Sequence, residues 1–216
     1  MNDTPSFAHL QRHQRDIEAY RTNVTASADA RFGPGWWGIW DQHVQVPPNG
    51  SIVDFGAGSG RLLELLRERY PKTKLTGVEL HPALLELCRA VASKIDATIV
   101  AADLGVKVPI ADSSADVVST VLSFHELPYP PALLENAARI LKPGGTLVMF
   151  DIIKFALEDY LDKKELSPDT LEHYSEHCLF APGDLAFLVR HFGLTVKEVI
   201  VRGGGRFAML VATKPE

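Results

Sequence analysis

The chain has 216 residues, 46% of them hydrophobic, and a formal net charge of −5, enough to bury one sizeable core in a single domain spanning residues 1–216. No apolar run approaches membrane-spanning length, and Lys and Arg scattered through an acidic chain lack the broad basic footprint of a nucleic-acid reader. Cys88 and Cys178 are too few for a disulfide framework, and Met1 to Tyr20 lacks a signal-peptide core, so a cytoplasmic chain that meets neither membrane nor nucleic acid is expected.

Residues 7 to 30 read as partly helical, and Gly33, Pro34 and Gly35 end this N-terminal extension, which spans 1–45 and is expected to serve as a lid. Trp36, Trp37 and Trp40 then crowd the mouth of the core, with Tyr20 as a potential companion from the extension. Aromatic rings beside glycines can cover a ligand or cage an amine through cation–π attraction, and tryptophans suit a plugged core equally well. Packing is expected of Trp40, whereas Trp36 and Trp37 stand open to both readings and count as candidate substrate contacts.

An apolar, β-prone run from Ser51 to Phe55 reaches Gly56, and an amphipathic run with Leu62, Leu63, Leu65 and Leu66 follows, so the intervening loop joins a strand to a helix. Gly56, Gly58 and Gly60 permit positive φ and close backbone approach, which lets a ligand lie against the loop. Lys74 to Val78 form a second strand ending in Glu79, about 20 residues after the loop, where a carboxylate commonly receives ribose hydroxyls. A third strand, Thr98 to Ala102, ends in Asp103. A loop and two acids therefore arrive at one carboxyl edge, the side on which open α/β sheets bind ligands. The dinucleotide fingerprint requires a glycine where Arg61 stands, and Asp54 ahead of the loop discourages an anion. A cationic, phosphate-free nucleoside suits the loop better.

Ala115 to Val118 open a fourth strand whose Asp116 lies at the edge away from the ligand and is expected to be structural. Phe124, His125 and Glu126 follow that strand. Histidine titrates near neutral pH, and a carboxylate can orient the imidazole or hold a cationic substrate, so His125 and Glu126 are the catalytic candidates. Lys142-Pro143-Gly144-Gly145 reads as a turn into a fifth strand, Thr146 to Phe150. A charged, helical insert over 154–178 comes next. Its His173 and His177 share one helix face beside Cys178, and His9 and His13 have the same spacing. No third ligand is specified, so solvated helix faces and no metal are expected. A helix near Gly183 to Phe192 precedes strands Thr195 to Val201 and Phe207 to Thr213, an antiparallel hairpin around Arg202-Gly203-Gly204-Gly205-Arg206. Arg202 and Arg206 could bind a substrate carboxylate, but solvation at the hairpin tip is the expected role of both.

From roughly Gly35 to Lys214 the chain resembles the class I S-adenosylmethionine-dependent methyltransferases, with motifs in family order. The segments are Asp54-Phe55-Gly56-Ala57-Gly58-Ser59-Gly60, Gly77-Val78-Glu79-Leu80, Ala102-Asp103-Leu104, Ala115-Asp116-Val117-Val118 through Phe124-His125-Glu126-Leu127-Pro128, and Leu141-Lys142-Pro143-Gly144-Gly145-Thr146-Leu147. The resemblance implies an α/β, doubly wound, mostly parallel seven-stranded sheet with an antiparallel C-terminal strand. Its core would be 51–151, its substrate-covering insert 152–182, and its C-terminal helix and hairpin 183–216. It implies S-adenosyl-L-methionine as cofactor, with Asp54, Gly56, Ala57, Gly58 and Gly60 about the methionine portion. Glu79 would take the ribose, Leu80 would lie against the adenine, Asp103 would approach its amino group, and Leu104 and Ser123 would complete the cofactor contacts. The insert commonly covers the acceptor, so Tyr174 joins Phe124, Trp36 and Trp37 as substrate candidates, and His173 is another potential contact.

Methyl transfer from a sulfonium is an in-line displacement in which the protein chiefly aligns the nucleophile and excludes water. A small polar methyl acceptor is the expected partner. An inactive cofactor-binding or partner-binding module is the alternative, and a nicotinamide oxidoreductase is disfavoured by Asp54 and Arg61.

Overall fold

The computed structural model describes residues 4–13, 17–162, 164–177 and 179–216. Cys178 lies outside them, as do the side chains of His13 and Tyr20. The extension forms three helices, α1 (Pro5–His13), α2 (Ile17–Arg31) and α3 (Pro34–His43). Pro34 opens α3 rather than merely ending the extension, because a first-turn proline lacks only an N–H that the helix would leave unused.

Strand and helix then alternate: β1 (Ser51–Phe55), α4 (Arg61–Arg69), β2 (Lys74–Glu79), α5 (Pro82–Ile95), β3 (Thr98–Ala101), β4 (Ala115–Val121), α6 (Pro131–Ile140) and β5 (Leu141–Ile152). The insert folds as α7 (Leu157–Leu161) and α8 (Pro168–His177), followed by α9 (Pro182–His191) and the hairpin β6 (Thr195–Arg202) and β7 (Phe207–Thr213). The seven strands form one sheet in the order β3-β2-β1-β4-β5-β7-β6. β7 runs antiparallel to both its neighbours, and the other recorded pairings are parallel. The expected architecture is thus the observed one.

Alternate residues of the central strands serve opposite cores, as the two-residue period of a strand requires. Val53, Phe55, Val118 and Leu147 meet α6 and α9 residues such as Leu133, Ile140, Leu185 and Val189 on one face. Ile52, Val117 and Val148 meet Trp40 of α3, Leu62, Leu63 and Leu66 of α4 and Cys88 of α5 on the other. Across the sheet from the ligand edge, Asp116 Oδ2 accepts the Ser51 N–H at 2.7 Å and the Lys142 ammonium at 2.8 Å. Leu141 pairs with Ala115 and Thr146 with Val117, so residues 142–145 loop out of register as the predicted turn. Asp116 therefore has the structural role expected of it. Among the described residues no helix is long and apolar enough to cross a membrane.

Packing is close where β2 passes under the glycine loop. A Cβ on Gly77 would lie 2.9 Å from Ala57 Cβ and from Leu63 Cδ1, and 3.0 Å from Ile99 Cδ1. Gly77→Ala should therefore destabilise the domain by about 1–3 kcal/mol, as overpacked cores do. The expected result is a lower urea midpoint at unchanged slope, and an unshifted midpoint would mean that the loop yields freely.

Candidate active site

The strand order reverses between β1 and β4, and the main cavity, about 290 Å³, opens beyond the carboxyl ends of these strands. This is the switch-point position at which open α/β sheets take ligands. Gly56, Ala57, Gly58 and Ser59 form one wall, Glu79, Leu80 and His81 a second, and Leu122, Ser123, His125 and Glu126 a third.

Inside the loop the backbone donors are already engaged. Gly56 and Ala57 donate to the Val78 carbonyl at 2.8 and 2.9 Å, Gly60 donates to the Ala57 carbonyl at 2.9 Å, and Gly58 donates to Glu79 Oε2 at 2.8 Å. The other Glu79 oxygen accepts from the Leu80 and His81 N–H groups, each at 2.8 Å. Gly56 has φ +70°, and a Cβ there would stand 1.9 Å from Ser123 Oγ, so the first glycine is required by the approach of β1 to the end of β4. Gly60 does not line the cavity. A Cβ there would stand 3.1 Å from Val91, so it lets α4 begin against α5.

Asp54 lies at the floor, buried, accepting the Ser119 hydroxyl at 2.7 Å. Burial raises its carboxyl to about 7, with Ser119 opposing the shift and the Glu79 charge adding to it. A cation placed in the cavity would favour the ionised form of this group. Leu104 lines the cavity, whereas Asp103, its neighbour in the chain, is buried and does not. Asp103 Oδ1 accepts the Gly105 N–H at 2.7 Å, whereas its buried Oδ2 finds no hydrogen-bond partner among the described residues. That oxygen fits a donor such as an adenine amino group.

His125 lies at the cavity wall between two carboxylates. Its Nδ1 is 2.5 Å from Asp151 Oδ1, and its Nε2 is 3.3 Å from Glu126 Oε1. Burial alone would lower the imidazole, but the Asp151 and Glu126 charges and hydrogen bonds outweigh it and carry the group up to about 10. Both ring nitrogens therefore donate. Burial likewise opposes the charge of Glu126, and hydrogen bonds from His125 and His177 hold its carboxyl well below the ordinary range. Beside this group Leu122 adopts φ +53°, a left-handed conformation costing about 1–3 kcal/mol for a side chain of this kind, at the point where β4 turns into the site.

Several substrate expectations give way to packing. Trp36 and Trp37 do not line the cavity. Trp36 is buried against Phe32 and Trp40, while Trp37 packs on Trp40 and receives the Arg69 guanidinium on its face. Phe124 is buried against Phe180, because Asp151 draws its backbone inward, and Tyr174 donates its hydroxyl to the Phe155 carbonyl within the insert. Neither ring lines the main cavity. The cover comes instead from Leu10 on α1, from Asn23, Val24, Ser27, Ala28 and Arg31 on α2, and from Phe32.

A solvated face is also overturned for one histidine of each pair, His9 and His177. His9 and His177 are 6% and 3% exposed, because α1 and α8 meet over the loop after β4. His177 Nε2 is 3.6 Å from Glu126 Oε2, its ring centroid lies 4.0 Å from that of His173, and His9 Nδ1 is 4.0 Å from Glu176. Among the described residues no three His, Cys, Asp or Glu side chains group as a metal site.

Residues 53–149 match the family described as a methyltransferase domain. Trans-aconitate 2-methyltransferase of Rhizobium meliloti is 31% identical over 156 residues, covering 71% of this chain and 56% of the relative. Malonyl-[acyl-carrier protein] O-methyltransferase of Hahella chejuensis is 31% identical over 97 residues, 45% of this chain and 34% of the relative. The chain thus spans about a third to just over half the length of these relatives. In fold it is similar to phosphoethanolamine N-methyltransferase 2 of Haemonchus contortus in complex with S-adenosyl-L-methionine, with a TM-score of 0.74 and 16% identity over 99% of this chain and 60% of that one. The family match over residues 53–149 and the 31% identical relatives, with the glycine loop and the strand-end acids, support a class I S-adenosylmethionine-dependent methyltransferase, and the solved structure shares its fold.

Proposed function

We propose that this domain binds S-adenosyl-L-methionine in the main cavity and directs its methyl group to a small polar acceptor. The observation that carries the reading is the engagement of the loop N–H groups. Gly56, Ala57, Gly58 and Gly60 all donate within the protein, and Asp54 and Glu79 line the space in front of them. A pyrophosphate would find acids where it needs donors, whereas a sulfonium and an ammonium would find opposite charge.

In this reading Gly56, Ala57, Gly58 and Asp54 hold the methionine end. Glu79, while holding Gly58, takes the ribose hydroxyls, Leu80 and Leu104 enclose the adenine, and Asp103 Oδ2 takes its amino group. Ser123, at the cavity wall, completes the contacts. The cofactor supplies an electrophile that is already activated, so the chain's tasks are alignment and exclusion of water. α2 supports the second task by covering the cavity. His125 and Glu126 support the first: the imidazolium is fixed by Asp151, and Glu126 can accept a hydrogen bond from an acceptor N–H or O–H while His125 balances its charge. A relative named for trans-aconitate supports a small-molecule acceptor.

S-adenosylhomocysteine should raise the melting temperature and NAD should not, because only a ligand that selects the native state stabilises it; stabilisation by NAD alone would overturn the reading. Once an acceptor is identified with a labelled methyl donor and a metabolite panel, His125→Ala should lower turnover by roughly 10²-fold or more with little change in S-adenosylhomocysteine affinity. Unchanged turnover would remove His125 from the mechanism.

The protonation of His125 makes a separate prediction. Its folded value lies above its ordinary 6.5, so its contribution to stability is complete below that pH and disappears as pH rises toward about 10. Urea midpoints of the wild type should fall through this window, and those of His125→Gln should fall less. Parallel profiles would mean that the ring is neutral in the fold.

A further inference from the structure

A second cavity of about 220 Å³ adjoins the first, and Ile152 lines both. It lies under the insert, with Phe155, Tyr160 and Phe207 among its walls. His177 also lines it, and this residue's contact with Glu126 joins the two spaces.

Two cations stand at the second cavity, Lys164 and Arg206, and each is laid on an aromatic wall. The Arg206 guanidinium carbon is 5.6 Å from the Phe155 ring centroid, and Lys164 Nζ is 4.9 Å from that of Tyr160. Arg206 Nη2 also donates to the Asp159 backbone carbonyl at 2.9 Å. Arg206 is exposed, as expected at the hairpin tip, and its guanidinium is turned toward the insert. Arg61, Arg69, Arg139 and Lys142 each meet a carboxylate, and Arg67 and Lys214 donate to backbone carbonyls. Among the described residues Lys164 and Arg206 meet no carboxylate side chain, although Asp159 lies on the same wall. Two cations laid on aromatic faces at one cavity offer positive charge to an oxyanion.

We propose that the second cavity seats the anionic end of the methyl acceptor, a small molecule with a carboxylate or phosphate group on a flat apolar body. Arg206 and Lys164 hold the oxyanion, Phe155, Tyr160 and Phe207 contact the body, and the nucleophile reaches past Ile152 toward Glu126 and His125. This inference rests on the methyltransferase reading and names the class of its substrate.

The test is calorimetric binding of trans-cinnamate, phenyl phosphate and the neutral trans-cinnamamide to the full chain, with and without saturating S-adenosylhomocysteine. At least one anion should bind roughly tenfold or more tightly than the amide, and the two anionic arms separate carboxylate from phosphate. In the Arg206→Gln/Lys164→Gln double variant the anion should lose roughly tenfold in affinity, with amide binding and S-adenosylhomocysteine binding unchanged, which also reports an intact fold. Equal binding of acid and amide, undiminished anion binding by the variant, or no binding of either anion would overturn the proposal. Failure of S-adenosylhomocysteine to bind the wild type would instead count against the cofactor reading, and the arms without it still decide the anion site.

Discussion

One buried carboxylate organises the reacting side of this domain. Asp151, at the end of β5 and fully buried, accepts the Ser123 and Phe124 N–H groups on Oδ2 at 3.1 and 2.9 Å, and the Ile152 N–H and the His125 ring on Oδ1 at 2.8 and 2.5 Å. A carboxylate removed from water is tolerated only when its lone pairs are answered, and here donors from three directions answer them. The loop after β4 must therefore lie against β5. Ser123 is thereby brought to Gly56, and Phe124 is turned into the core while His125 stays at the cavity wall.

The same constraint explains the uneven legibility of the sequence. The sheet is written locally: apolar runs of strand length, glycines at a turn and acids at strand ends each act over a few residues, and Asp54 and Glu79 occur where such patterns predict, whereas Leu104 enters through the family resemblance. The acceptor side depends on pairings between distant segments. Asp151 reads only as the residue after a β-run, yet it fixes residues 26 to 28 positions earlier in the chain. His177 looks like the polar face of an insert helix until α1 closes over it, and although the extension is expected as a lid, no local pattern marks which of its residues face the cavity. The tryptophans illustrate the opposite error: aromatics beside glycines resemble a lid, but Trp40 is anchored by its indole N–H to the Tyr70 hydroxyl at 2.8 Å and draws its neighbours into packing.

Both cavities carry charge of both signs. Asp54, Glu79 and Glu126 line the first together with Arg31, Arg61 and His125, and Lys164 and Arg206 line the second together with Asp159. Ile152 belongs to both and contributes an apolar side chain, and the His177–Glu126 contact links the two spaces.

The hairpin has a consequence for how the sheet is assembled. β7 lies between β5 and β6, and in the strand order β6 has β7 as its sole neighbour. Of the seven strands, the one translated last is therefore an interior one. While residues 207–213 are still within the ribosome, β5 presents an open ladder and β6 has nothing to join. The sheet is completed by inserting its final strand, so the nascent domain carries an unpaired edge next to its reacting side until synthesis of that strand is finished.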